Sequence, residues 1–240
     1  LNEDEETNFT KLLPHLEELR FRIVVIVFIL IAASSVAFFL TPYTFKLLKH
    51  LAPEGATFFQ IKPGELFYAY LKLTILQAVF IGAPFILQQI ASFLWPGLKT
   101  KERKIASLVL FGGPVLFNGG MVFAYFVAIK PMIGFLLGFG VQMEMVQATY
   151  SIEEYLSVVT GLLLVFGFAF ELPILIILLA ILKLIDSQIL IKYWKQIVFG
   201  ILILSAVITP TPDPFNMLVL GASLILLYLG SILFIKLIVK

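Results

Sequence analysis

The sequence predicts an all-α integral membrane protein with six transmembrane helices, both termini on the cytoplasmic side, and the last two helices short. Three observations carry this prediction. Of 240 residues, 60% are hydrophobic and only 13% charged, whereas a soluble domain carries about 25% charged residues. The apolar residues gather into runs close to the ~20 needed to cross hydrocarbon. Inside lipid each backbone polar group must be satisfied within its own segment, so these runs imply helices. The basic residues, finally, are shared unequally between the two sets of connections.

The chain reads as a single membrane domain over residues 1–240. Residues 1–9, with the acidic run Glu3-Asp4-Glu5-Glu6, predict a disordered, solvated tail and no cleavable signal peptide, which would open on basic residues. Residues 10–22 predict a cytoplasmic amphipathic helix, because Leu12, Leu13, Leu16, Leu19 and Ile23 fall on one helical stripe. The first span is expected at 23–40, the second at 66–98, the third at 105–129 and the fourth at 152–182, the last interrupted only by Glu171. A weaker pair follows at 190–208 and 215–235. Between them Thr209-Pro210-Thr211-Pro212-Asp213-Pro214 cannot be helical and predicts a tight turn. Residues 41–65 and 130–151 are expected to form long outer caps, with Phe45-Lys46-Leu47-Leu48 lying on the membrane surface.

An even number of spans puts both ends on one side, and the basic residues choose the side. Five of the 17, namely Lys46, Lys49, Lys62, Lys72 and Lys130, fall on the outer side, and the other twelve fall with the termini. Both ends are therefore expected in the cytoplasm.

Glu171, in Phe168-Ala169-Phe170-Glu171-Leu172-Pro173, is the most informative single residue. A charge at mid-membrane costs roughly 3 kcal/mol on insertion scales, so such residues are functional candidates by default. Pro173 frees the carbonyl of Ala169 and predicts a kink. The plainer reading is an acid that hydrogen-bonds Gln88, Gln89 or Asn118 and only holds helices together. At the cytoplasmic side, Glu18 and Arg22 are four apart in the order that favours a local ion pair. Glu102, in Lys99-Thr100-Lys101-Glu102-Arg103-Lys104, is the one carboxylate in a basic loop. On the residues alone, local neutralisation leads for both carboxylates.

Catalysis, cofactors and metals find no support. There is no cysteine and there are two histidines, His15 and His50, both outside the spans. Neither a His-Glu-x-x-His site nor a Gly-x-Ser-x-Gly elbow is present. Asp186 and Asp213 are expected at opposite faces, too far apart for an aspartyl pair. A net charge of +2 does not point to nucleic acid.

Four motifs in order give the chain a specific resemblance. They are His15-Leu16-Glu17-Glu18-Leu19-Arg20-Phe21-Arg22, then Phe93-Leu94-Trp95-Pro96-Gly97-Leu98 leading to Lys101-Glu102-Arg103, then Phe168 to Pro173, then Thr209 to Phe215. Together they resemble TatC, the C subunit of the twin-arginine protein translocase. The resemblance implies a signal-peptide receptor that exports folded proteins across the cytoplasmic (inner) membrane of a prokaryote using the proton motive force. It implies the single-span subunits TatA and TatB as partners, within a multimeric receptor complex.

The resemblance also implies residue roles. Glu18, Arg20, Phe93, Glu102 and Arg103 are expected to bind the signal peptide. Glu171, Gln88, Thr209 and Asp213 are expected to form an intramembrane polar site for a partner. Two positions depart from the family pattern: Leu47-Leu48, where a proline is common in the first cap, and Met217, where many members carry glutamine. The alternative from a different class is a proton-coupled secondary transporter with Glu171 as proton carrier.

Overall fold

A computed structural model describes residues 3–53, 56–94, 100–142, 149–181, 184–185, 187–209 and 213–238. Side chains are described throughout these ranges except at 3–15, 94, 100–106, 108–110, 138–142, 149, 181, 187 and 238. The chain is helical with a small strap. Helix α1 (Glu3–Lys49) leads through strand β1 (Thr57–Phe59) into α2 (Glu65–Leu94). Helix α3 (Thr100–Phe123) passes through a π-helical turn at Ala124–Ala128 into α4 (Ile129–Gln142). After strand β2 (Thr149–Ser151) come α5 (Ile152–Ala169), α6 (Leu172–Ile181), α7 (Ser187–Lys192), α8 (Trp194–Ile208) and α9 (Pro214–Ile238).

Among the described residues, five stretches are long and apolar enough to cross a membrane: Leu16–Lys49, Glu65–Phe93, Phe111–Leu137, Ile152–Ala180 and Pro214–Leu237. Helix α8, at 15 residues, rises only about 22 Å and falls short of the ~30 Å hydrocarbon layer. Only one of the last two helices is therefore short. Helix α9 has 25 residues, because its uncharged run continues from Pro214 to Ile235.

Three more boundaries differ from the sequence expectation. Helical backbone begins at Glu3, within the stretch expected as a tail, and α1 continues to Lys49. Phe45-Lys46-Leu47-Leu48 is thus the last turn of α1 rather than a surface segment, and Leu48 is buried. The third span likewise extends through a π turn. Pro131 has no N–H for the carbonyl of Val127, and just before it the ladder switches so that Ile129 N–H donates to Ala124 O.

Helices α1 and α2 pack antiparallel along their length. Arg22 Nη1 donates to Gln89 Oε1 at 2.8 Å, Tyr70 Oη donates to Phe38 O at 3.0 Å, and the Thr41 and Thr74 hydroxyls meet at 2.9 Å. A Cβ added at Gly82 would touch Ile29 and Ala33, so the two backbones approach closely at mid-span. Helix α5 occupies the centre of the main core, with Leu156, Val159, Leu162 and Phe166 almost wholly buried. Its partners include Leu73 and Leu76 of α2, Phe117 and Met121 of α3, and Met132 of α4.

The two caps are tied together by a parallel pairing that puts Thr57, Phe58 and Phe59 opposite Thr149, Tyr150 and Ser151. Glu65 fastens this strap. Its Oε2 accepts from the amides of Ile61 and Lys62 at 2.6 and 3.1 Å, and its Oε1 accepts from the hydroxyl of Ser151. Ser151 also caps α5 by accepting from Glu154 N–H. The carboxylate is buried but fully engaged, which is what makes its burial tolerable.

Candidate functional site

Glu171 sits where the fourth span breaks. Helix α5 ends at Ala169, Glu171 N–H donates back to Phe168 O at 3.1 Å, and regular bonding resumes with Leu175 N–H to Glu171 O at 3.0 Å. Pro173 cannot donate to Ala169 O, so the ladder has to be interrupted here. The break turns the carboxyl into a groove of about 520 Å³ walled by α1, α2, α3 and α6, including Leu30, Ala83, Leu87, Phe117 and Leu175. Among the described residues, Glu171 is the only ionisable side chain on those walls. Its Oε1 is buried without a hydrogen-bond partner among the described residues. Its Oε2 faces Gly113, where an added Cβ would lie 3.4 Å away. An unpaired carboxyl in an apolar groove is costly, and it has capacity for an external donor.

The structure does not bring the expected intramembrane set together. Gln88 lines a different groove, with Arg22 and Asn118, and Gln89 is engaged by Arg22. None of the three glutamine or asparagine side chains foreseen as partners of Glu171 bonds it. The physical reason is helical rotation: Gln88 shares its face with Pro84, Phe85 and Ser92, whereas Ala83, Leu87 and Ile90 turn toward Glu171.

Thr209 and Asp213 form a third place, at the α8–α9 turn. Thr209 Oγ1 donates to Ser205 O at 2.9 Å and ends α8. Asp213 Oδ1 accepts from Asn216 N–H at 2.7 Å, and with Pro214 in the first helical position this is an N-cap. Asp213 Oδ2 has no hydrogen-bond partner among the described residues. Pro210-Thr211-Pro212 lie outside the described residues. Asn216 and Ser205 are buried beside this turn and were not singled out in the sequence. Gly221 lets α9 approach α8 there, since a Cβ would press on Leu202 and Ser205.

At the opposite end of α1, Glu18 Oε1 accepts from Arg22 Nη2 at 3.1 Å, the local ion pair the spacing predicts. Arg20 is exposed and Phe93 half-buried. The antiparallel register places Gln89 beside Arg22, so one turn further Glu18 is level with Phe93 at the end of α2. Glu102 and Arg103 are in the first turn of α3, and their side chains lie outside the described residues, as do Trp95-Pro96-Gly97-Leu98. The Arg22–Gln89 contact was not anticipated, because which of two adjacent glutamines faces α1 depends on helix register.

Comparison with known proteins decides what kind of molecule this is. The family model for TatC, the Sec-independent protein translocase protein, matches residues 14–222. The chain belongs to the TatC family. It is 33% identical to the Sec-independent protein translocase protein TatC of Synechocystis over 95% of this chain and 89% of that one. It is 34% identical to the chloroplastic protein of Pisum sativum over 93% of this chain and 63% of that one. A crystal structure described as the twin arginine translocase receptor TatC in DDM superposes with a TM-score of 0.81 at 29% identity, covering 92% of this chain and 98% of that one. As a TatC-family protein it is a multi-pass membrane component of Sec-independent protein transport. Relatives occur in both cyanobacteria and chloroplasts.

Proposed function

We propose that this TatC-family chain is the receptor subunit that binds twin-arginine signal peptides on the cytoplasmic side of a prokaryotic inner membrane. In this reading it spans the membrane six times, with α8 as the short fifth crossing and both termini inside. The division of basic residues, twelve against five, supports the orientation. The strap joining the two caps supports the count of crossings between them, since 57–59 and 149–151 then share one side.

What supports the receptor reading is that two acidic positions from different elements, Glu18 on α1 and Glu102 in the first turn of α3, fall at one end of the bundle. Glu18 on α1 is level with Phe93 at the end of α2, and Glu102 follows in the first turn of α3, eight positions after α2 ends at Leu94. Guanidinium groups match carboxylates bidentately and keep their charge, so this end suits a pair of arginines. Arg22 keeps its bond to Gln89 if an incoming arginine takes Glu18 from it. Arg20, Arg103 and Phe93 frame the same surface in this reading.

Glu171 then serves partner recruitment. A single-span subunit such as TatA or TatB, with a polar residue at the right depth, supplies the donor that the carboxyl lacks. Thr209 and Asp213 offer a second contact at the α8–α9 turn. Export is driven by the proton motive force within a multimeric complex.

A pull-down with otherwise identical signal peptides carrying Arg-Arg or Lys-Lys tests the receptor reading. Capture by Arg-Arg and not Lys-Lys is expected; equal capture would rule out a site built on guanidinium recognition.

A further inference from the structure

The groove lined by Gln88 and Arg22 is given no occupant by the reading above. It has a volume of about 950 Å³, at the upper end of the range for ligand sites. It lies between α2 and α3, and its lining includes Arg22 and Gln88 as well as Phe85, Phe111 and Val115. Those three apolar residues are exposed, Phe111 and Val115 by 73% and 70%. In a membrane they face acyl chains. Arg22 stands at the last charged position before the uncharged run Ile23–Leu40. Its guanidinium is thus at the boundary between hydrocarbon and water, the level at which lipid phosphates lie.

We infer that this groove is a binding site for one anionic phospholipid, of the phosphatidylglycerol type, with its phosphate on Arg22 and an acyl chain along Phe85, Phe111 and Val115.

The donor inventory of Arg22 supports this occupant. Nη1 is engaged by Gln89 and Nη2 by Glu18, which leaves part of the five-donor fork available. Nε–H is buried with no partner among the described residues. A phosphate matches the planar fork, and a phosphatidylglycerol headgroup keeps its net negative charge beside Arg22, whereas choline would bring a second cation to the guanidinium. Gln88, beside Arg22 on the lining, supplies a further amide donor. Charge on the lining points the same way: among the described residues Arg22 is its one charged side chain. A cation at the level of the headgroups attracts anionic lipid.

The decisive experiment counts lipid on the full chain by native mass spectrometry. Dioleoyl-phosphatidylglycerol is compared with dioleoyl-phosphatidylcholine, so that only the headgroup differs. One tightly retained phosphatidylglycerol is expected, with a preference of roughly tenfold, the scale of a charge-assisted contact. Arg22→Gln should bring the two lipids near parity. Val115→Trp, at an exposed position where the indole fills the groove without repacking the core, should lower retention of both. Inorganic phosphate at millimolar concentration should not displace the lipid, which separates a lipid site from a free-anion site. Equal retention of the two lipids by the parent would reduce the groove to ordinary annular filling and overturn the inference. A preference that survives both variants would place the anion elsewhere, on the basic connection. Displacement of the lipid by a stoichiometric Arg-Arg signal peptide would assign the groove to the peptide instead.

Discussion

At the scale of single residues, the chemistry rests on groups whose hydrogen-bonding capacity the fold leaves open. Glu171 is the clearest. The fold supplies an apolar groove and no donor, so replacing the residue should affect what docks there more than it affects the bundle. Glu171→Gln keeps hydrogen-bonding capacity and Glu171→Ala does not, so transport is expected to fall in the order Glu, Gln, Ala, with little change in thermal stability. A second variant separates docking from structure. A serine at 113 places a hydroxyl beside Glu171 Oε2 and satisfies it from within. Gly113→Ser should raise the melting temperature slightly, a hydrogen bond being worth about 1 kcal/mol, while weakening crosslinking of a single-span partner to α6. If Gly113→Ser leaves crosslinking untouched, the carboxyl is not the docking group. Glu171 was legible in the sequence because a charge inside an apolar run has few explanations. Its isolation from Gln88 and Asn118 was not, because a residue's face depends on helix rotation that composition does not record.

At the scale of elements, the packing of α3 on α5 depends on one glycine of an adjacent pair. A Cβ at Gly120 would come within 2.5 Å of Phe166 O and 2.8 Å of Phe170, whereas Gly119 has open space. Gly120→Ala should therefore destabilise by roughly 1–3 kcal/mol, the usual cost of overpacking. Gly119→Ala should be neutral or stabilising by up to about 1 kcal/mol, since alanine is the better helix former. Thermal unfolding of the two variants in one detergent compares them directly; a Gly120→Ala protein as stable as Gly119→Ala would contradict the close approach. Helix existence and the break at Phe170-Glu171 were readable from apolar runs and Pro173. The ends of α1, α4 and α9 were not. Capping and tertiary contact set them, and an apolar stretch such as Phe45–Leu48 fits a helix end or a surface segment equally well until Leu48 finds its buried place. The strap was invisible for a related reason, since a three-residue strand leaves no periodicity to detect.

At the scale of the whole molecule, Glu65 connects the two caps through Ser151 and the 61–62 backbone, so Glu65→Ala should loosen the strap. A loss of roughly 2–3 kcal/mol is expected from removing charge-assisted bonds while leaving their donors buried. Protease sensitivity of the cap segments reports it. Cysteine labelling tests topology cleanly, since the chain has no cysteine. Cysteines at 57 and 137 should react only from the outer side, and labelling from the cytoplasm would reverse the orientation. With that topology, the Glu18 and Glu102 end faces the cytoplasm, where signal peptides arrive. The most direct measurement is the affinity of a fluorescent Arg-Arg signal peptide for the full chain and for its Glu18→Ala/Glu102→Ala variant, with a Lys-Lys peptide as control. Each carboxylate should contribute about 1.5–3 kcal/mol before solvent screening reduces it, so the variant should bind at least tenfold more weakly while melting like the parent. Unchanged affinity in the folded double variant, or equal affinity for Lys-Lys, would contradict the receptor assignment.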